Sequence, residues 1–262
     1  MLVEIWSDVV CPWCYVGTRR FEQALEQLRA GEASRPWGDE VEVVHRAFEL
    51  DPTVPAEGMD LAGYLGRKFG GADRLHQVRD RLDHAGADVD IDFRWDGKRR
   101  VNTRDAHRLT AWALDVAGAG VQNALHQRLF RAYFTENLDV ADHAVLARLA
   151  GEAGLDVDAA AEVLATGGYA DTVRAEELRA AELDIHAVPT FVIEGRWAIP
   201  GAQDIDTFAE LLERARERLA PLTVGAPSAA PAPSPAGSAG AAGAAGGGAD
   251  PDADCDDGSC AV

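Results

Sequence analysis

The chain is short of the residues that announce most architectures. Of its 25 basic residues only Lys68 and Lys98 are lysines, and there are two methionines and four cysteines in 262 positions. Four cysteines are too few to staple a fold of this length, so stability must come from a core. No apolar run approaches the roughly 20 residues that a membrane span requires. No basic segment followed by an apolar one stands ahead of the first strand-like run, so no secretory leader is expected. These absences point to a cytoplasmic protein, where structural disulfides are rare and cysteine pairs serve catalysis or metal binding. Positive charge is also in deficit. A formal net charge of -19 would repel a phosphate backbone and argues against a nucleic-acid partner.

Hydrophobic residues make up 47% of the chain, enough for one large or two modest domains. Leu2 to Trp6 reads as a strand and Val16 to Ala30 as a helix with Phe21, Leu25 and Leu28 on one face. Gly31 to Asp39 breaks the helix, and the β-branched run Val41 to Phe48 reads as a second strand. Parallel pairing through a right-handed crossover is the expected geometry. From Met59 to about Asp184 helical spacing takes over, as in Leu109, Trp112, Ala113 and Val116, and again in Leu125, Leu129, Phe130, Tyr133 and Phe134. Asp142 and Asp156 or Asp158 are expected N-caps, with Gly118, Gly154 and Gly167 as stops. Val89, Ile91, Phe93 and Trp95 alternate and suggest a short extended piece. Strands then return as a hairpin, Thr190 to Ile193 and Arg196 to Ile199 around Glu194-Gly195, followed by a helix from Asp204 or Asp206. Residues 225 to 248 are almost wholly Ala, Gly, Pro and Ser, a flexible linker to an acidic tip.

The chemistry concentrates at Cys11-Pro12-Trp13-Cys14, between the first strand and the first helix. A strand, C-x-x-C and a helix read as a thioredoxin-like redox motif. Cys11 would stand where a helix presents unpaired N–H groups and the positive end of its dipole, which favours a thiolate. Pro12 suits the first helical position, where its missing N–H is no loss. Cys14 follows within one turn, close enough to resolve a mixed disulfide. Half of a zinc site is the alternative, because Cys255 and Cys260 form a second pair, C-x4-C, in the tail. The long linker between the halves favours redox chemistry and no metal.

Val188-Pro189-Thr190-Phe191 ahead of the hairpin, in a chain with C-x-x-C, resembles the cis-proline loop of thioredoxin folds. With Glu4-Ile5-Trp6-Ser7, the stretch Asn102 to Arg108 and the helical block, the chain resembles the DsbA-like family, and within it the FrnE-type group. That group is related to 2-hydroxychromene-2-carboxylate isomerase and kappa-class glutathione transferases. The resemblance covers roughly residues 1 to 220. It implies an α/β thioredoxin fold, residues 1–58 and 186–222, with a large all-helical insertion, 59–185; composition adds a disordered tail, 223–262, of flexible linker and acidic C-x4-C tip. It implies a protein-disulfide oxidoreductase acting on protein or small-molecule thiols and disulfides, with Cys11 as nucleophile, Cys14 as resolving thiol and Pro189 facing them. No resident cofactor is expected, with glutathione as a candidate co-substrate and a monomer or homodimer as the assembly. The relatives that isomerise or conjugate use serine where this chain has Cys11, so a glutathione-dependent isomerase or transferase is the alternative.

Further residues carry two readings each. Pro12, Trp13 and Val188 are expected to touch substrate, Val188 through its backbone in the manner of an added strand. Asn102 to Asp105 can form a helix N-cap with an acid three residues on. The resemblance instead turns Asn102, Thr103 and His107 toward Cys11 as substrate or glutathione contacts. Glu4 is either a solvent-facing acid on its strand or a buried carboxylate that takes the Cys14 proton. Cys255 and Cys260 are either incidental or a second redox pair. A linker of about 30 residues reaches roughly 30 Å, beyond the ~17 Å radius of gyration of the body.

Overall fold

The structure, a computed structural model, describes residues 1–30, 40–55, 57–68, 71–219 and 260–261. The break at residues 31–39, the linker and Cys255 lie outside the described residues. Strand β1 (Leu2–Ser7) leads into helix α1 (Pro12–Ala30), and β2 (Glu42–Ala47) returns parallel to β1 in the register Leu2 to Glu42 through Ser7 to Ala47. Much later in the chain, β6 (Thr190–Ile193) pairs antiparallel with β1, and β7 (Trp197–Pro200) with β6. The sheet order is β2-β1-β6-β7. The hairpin turns where Glu194 and Gly195 both take positive φ, 51° and 63°, as a tight turn matching the strand twist requires.

Period-2 alternation decides what each face of β1 meets. Val3 and Ile5 point to one side, where Phe21 of α1 and Phe208 of α8 (Ile205–Leu219) cover them together with Phe191 of β6. Phe21 stacks on Phe191 at 5.1 Å and meets Phe208 edge-on at 5.4 Å. Trp6 points the other way, into a second core built with the insertion. Asp204 caps α8 by accepting the Thr207 N–H at 2.8 Å.

The insertion runs between β2 and β5 (Ala187–Val188) and carries α2 (Leu61–Lys68), α3 (Ala72–Ala87), α4 (Arg104–Phe134), α5 (His143–Glu152), α6 (Val157–Thr166) and α7 (Ala170–Glu182). It is not wholly helical, because β3 (Met59–Asp60) pairs antiparallel with β4 (Arg99–Arg100) within it. Asp142 and Asp156 cap α5 and α6 through side-chain acceptance, so Asp158 falls inside the first turn. Gly118 takes φ 78° and breaks the helical run at the expected stop, so α4 is two helical stretches joined at a kink, while Gly167 closes α6 in the left-handed conformation. The alternating stretch from Val89 to Trp95 forms no strand. Val89, Ile91 and Phe93 are buried, but the backbone finds a helix end instead of a sheet edge, Arg94 N–H donating to the Phe134 carbonyl at 2.8 Å. Alternation there records a coil laid against a core.

Candidate active site

The chain leaves β1 at Ser7 and turns through Asp8-Val9-Val10 before α1 begins. Cys11 stands immediately ahead of Pro12, the first helical residue. Its N–H donates to the Asp8 carbonyl at 3.0 Å, and its own carbonyl accepts from Cys14 at 3.1 Å and Tyr15 at 3.3 Å. The thiol therefore sits at the helix N-terminus, where unpaired N–H groups favour negative charge. Cys11 and Cys14 are both free thiols, and both are buried. Cys14 has no exposed surface, and burial, followed by its contact with Cys11, pushes its pKa well above the ordinary thiol value. The two thiols thus divide into one at the mouth of the site and one that holds its proton.

The Val188–Pro189 bond is cis. It brings the Val188 carbonyl to 3.7 Å from the Cys11 sulfur, with the thiol as donor. Gly17, one turn into α1, admits this loop. A Cβ there would lie 3.0 Å from Pro189 Cγ and 3.1 Å from Ala202 Cβ. Beyond Val188, β5 is paired antiparallel with β8 (Cys260–Ala261), setting Val188 opposite Cys260 and Ala187 opposite Ala261. The backbone edge expected to receive an extended substrate is thus occupied by the end of the chain itself. On its other side Cys11 opens, with Pro12, Trp13 and Thr103, onto a mostly apolar cavity of about 150 Å³.

Three of the expected site residues have protein partners of their own. Glu4 is engaged in an ion pair: its carboxylate takes the Arg46 guanidinium at 2.8 Å, and Arg46 also binds Glu176 at 2.9 Å. Strand alternation lets Glu4 reach this ion pair. Asn102 does not line the cavity. Its side-chain oxygen accepts the Arg104 N–H at 3.0 Å and its amide donates to the Val54 carbonyl at 3.2 Å, so it ties the loop after β2 to the start of α4. The N-cap position of α4 belongs to Thr103, whose side chain makes no capping bond. His107, expected as a substrate contact, is 1% exposed and faces Asp8, with Nε2 3.5 Å from Oδ1.

Asp8 is the acid that sequence reasoning passed over. It is 1% exposed, accepts the Leu50 N–H at 2.7 Å, and its charge contributes to the raised pKa of Cys14. The one available signal was an acid placed in the turn between an apolar strand and a C-x-x-C. Burial alone would lower the pKa of His107, but the neighbouring Asp8, with Glu49 and Glu176 behind it, raises it. A second buried pair adjoins this one. The rings of His45 and His126 stack at 3.8 Å, and Ser7 Oγ lies 3.0 Å from His126 Nε2. Gln122 clamps the β2 backbone here, accepting the His45 N–H and donating to its carbonyl, both at 2.9 Å. Burial holds His126 well below its usual pKa and pushes His45 down to about 3.

These buried imidazoles give stability a pH dependence of definite sign. Unfolded His45 takes up a proton near pH 6.5, whereas folded His45 does so only near 3, so acidification across that window favours unfolding. His45→Phe should remove close to one proton, about 1.4 kcal/mol per pH unit, from the slope of stability between roughly pH 6 and 4. Urea unfolding of both proteins at several pH values measures this, and parallel slopes would contradict it.

Comparisons with known proteins agree with the geometry. The model of the DSBA-like thioredoxin domain matches residues 2–213. The uncharacterized protein YwbO of Bacillus subtilis is 30% identical over 222 residues, 82% of this chain and 98% of that protein. The crystal structure of a probable DsbA oxidoreductase from Streptomyces coelicolor superposes with a TM-score of 0.75 at 38% identity, covering 86% of this chain and 93% of the other. A 2-hydroxychromene-2-carboxylate isomerase shares the fold at 18% identity with a TM-score of 0.56, over 84% of this chain and 96% of its own. With the strand–thiol–helix corner, the facing cis-proline and a family match running through nearly the whole folded body, this chain belongs to the DsbA-like thioredoxin-domain family.

Proposed function

We propose that the chain is a thiol–disulfide oxidoreductase working through Cys11 and Cys14. The observation that carries this reading is the Cys11 thiol at the start of α1, 3.7 Å from the carbonyl of the cis Val188–Pro189 pair. Cys11 thiolate attacks one sulfur of a substrate disulfide, forming a mixed disulfide and releasing the other sulfur as a thiolate. Cys14 then gives up its proton and attacks the Cys11 sulfur. The second substrate sulfur leaves, and two electrons have passed from the enzyme dithiol to the substrate. In reverse the same steps oxidise client dithiols. No resident cofactor enters this balance, and glutathione is the proposed small-thiol partner. No helix among the described residues is long and apolar enough to cross a membrane, and we place the activity in the cytoplasm.

Insulin-disulfide reduction should vanish in Cys11→Ser. Cys14→Ser should still attack but accumulate the Cys11 mixed disulfide, visible by mass spectrometry. Turnover retained in Cys11→Ser would refute the assignment.

The proton that leaves Cys14 needs an acceptor, and Asp8 is the carboxylate whose charge reaches it, with His107 behind it to share the load. Asp8→Asn should slow resolution of the mixed disulfide by about 10²-fold, the lower end of general-base effects, while leaving the first attack largely intact. Glu4→Gln should leave resolution unchanged. Rapid quench with mass analysis separates the two steps, and equal rates in wild type and Asp8→Asn would remove Asp8 from the cycle.

Cys255 and Cys260 fit a second redox pair. The support is the β5–β8 register, which sets Cys260 opposite Val188, the residue whose carbonyl faces Cys11. As dithiol, the tail would attack the Cys11–Cys14 disulfide at Cys11, release Cys14 as thiolate, and then close its own disulfide to free Cys11. Replacing both tail cysteines with serine should slow re-reduction of Cys11–Cys14 by an external thiol. Unchanged rates and unchanged redox state would leave the tail without a part in exchange.

A further inference from the structure

The cavity beside Cys11 collects positive charge that is only partly compensated among the described residues. Both lysines of the chain, Lys68 and Lys98, line it, together with Arg79 and Arg100. Arg100 is accounted for: it binds Asp51 at 2.5 Å and lies over the Tyr64 ring at 3.6 Å. Asp8, the other acid on the wall, is already engaged by the Leu50 N–H and His107. Lys98 is different. It is 5% exposed, yet its ammonium has no carboxylate among the described residues. It donates to the Tyr133 carbonyl and rests 4.4 Å from the Tyr133 ring and 5.3 Å from that of Phe134. Arg79 places its guanidinium 5.7 Å from the Trp95 ring, and its buried Nε has no hydrogen-bond partner among the described residues.

A buried cation without a counter-ion is costly. Carbonyl and ring-face contacts offset part of that cost but leave the net charge in place. The remaining wall, including Leu82, Val101 and Phe134, is apolar, and a space of about 150 Å³ is of the order that holds one aromatic ring. An apolar body satisfies the wall and one anionic group satisfies Lys98 and Arg79. A polar peptide such as glutathione satisfies the cations but not the wall.

We propose that this cavity is a binding site for a small apolar molecule bearing a single carboxylate, held with its anion toward Lys98 and Arg79 and its body alongside the Cys11 thiol. The inference deepens the disulfide-exchange reading by giving a class of small molecule that Cys11 meets within this cavity, distinct from the glutathione that would reach the thiol from outside it. It rests on that reading only for what Cys11 then does.

The test uses the reduced full-length wild-type protein and follows alkylation of Cys11 by iodoacetamide, read at the peptide level by mass spectrometry. Benzoate should protect Cys11, and benzyl alcohol, nearly the same body without the charge, should need about tenfold higher concentration for equal protection, in keeping with a hydrogen bond to a charged group. In Lys98→Met the two compounds should protect alike. Equal protection in the wild type, or none from either, overturns the proposal. A preference unchanged in a folded Lys98→Met overturns the assignment of the anion to Lys98. Should Lys98→Met fail to fold by circular dichroism, the wild-type pair of compounds decides alone. Alkylation needs no turnover, so this result is independent of whether insulin is reduced.

Discussion

The distance between the Val188–Pro189 loop and the first turns of α1 governs the rest of this site. Gly17 sets its limit, since a Cβ there would press on Pro189 Cγ at 3.0 Å and on Ala202 at 3.1 Å. A glycine inside a helix costs about 1 kcal/mol relative to alanine, and α1 bears that cost where the loop crosses it. Three contacts gather at this close approach. Val188 reaches the Cys11 sulfur, Pro189 accepts the Gly201 N–H at 2.8 Å, tying the loop to the end of the hairpin, and Thr190 Oγ1 donates to the Ala187 carbonyl at 2.8 Å. The sheet order β2-β1-β6-β7 delivers the loop to this place, because β6 lies directly beside the strand that ends at the cysteines.

Behind the thiols the protein keeps an unusual amount of buried polarity. His45, His107, His126, Asp8, Ser7 and Gln122 are all at most 3% exposed. Such a group is tolerated only where partners offset desolvation. Gln122 does this for the β2 backbone with two bonds at 2.9 Å, joining the insertion to the sheet. Asp8 does it for His107. His45 and His126 solve the problem differently, by remaining neutral and stacking. The seam between the sheet and the insertion is therefore polar at its centre and apolar around it, and Asp8, whose charge reaches Cys14, belongs to that seam.

How much of this could be read beforehand depended on whether a feature was local. The C-x-x-C at a strand–helix junction, the proline ahead of β6, the caps at Asp142 and Asp156 and the turn at Glu194-Gly195 are short-range patterns, and each stands where the residues imply. Glu4 and Asp8 show where local reading ends. Alternation along β1 allowed Glu4 either face, and the choice was made by Arg46 on the neighbouring strand and Glu176 on α7, distant residues with no mark in the local pattern. Asp8 lies past the end of the strand, where alternation says nothing, and its burial depends on Leu50 and His107. Lys98 precedes two arginines, and nothing in that short basic run marks it for burial. Only the packing of Tyr133 and Phe134 from the far end of α4 buries it. The stretch from Val89 to Trp95 carried the right burial and the wrong backbone, since alternation reports which side chains are covered and not what the amides bond to.

Two approaches converge on the same sulfur. One runs along the β5 edge, where an extended backbone pairs with Val188 and where residues 260–261 now lie. The other comes through the apolar cavity bounded by Pro12 and Trp13. Backbone pairing is indifferent to side-chain chemistry and suits peptides, whereas the cavity discriminates by size and charge. A strand held at Val188 does not fill the cavity, and a molecule in the cavity leaves the strand edge free. On the proposed reading, Cys11 would face a small molecule on one side while the tail dithiol waits on the other. That arrangement suits a thiol whose mixed disulfide must be handed from one partner to the next, because the incoming sulfur need not displace the outgoing body from its own subsite before it attacks.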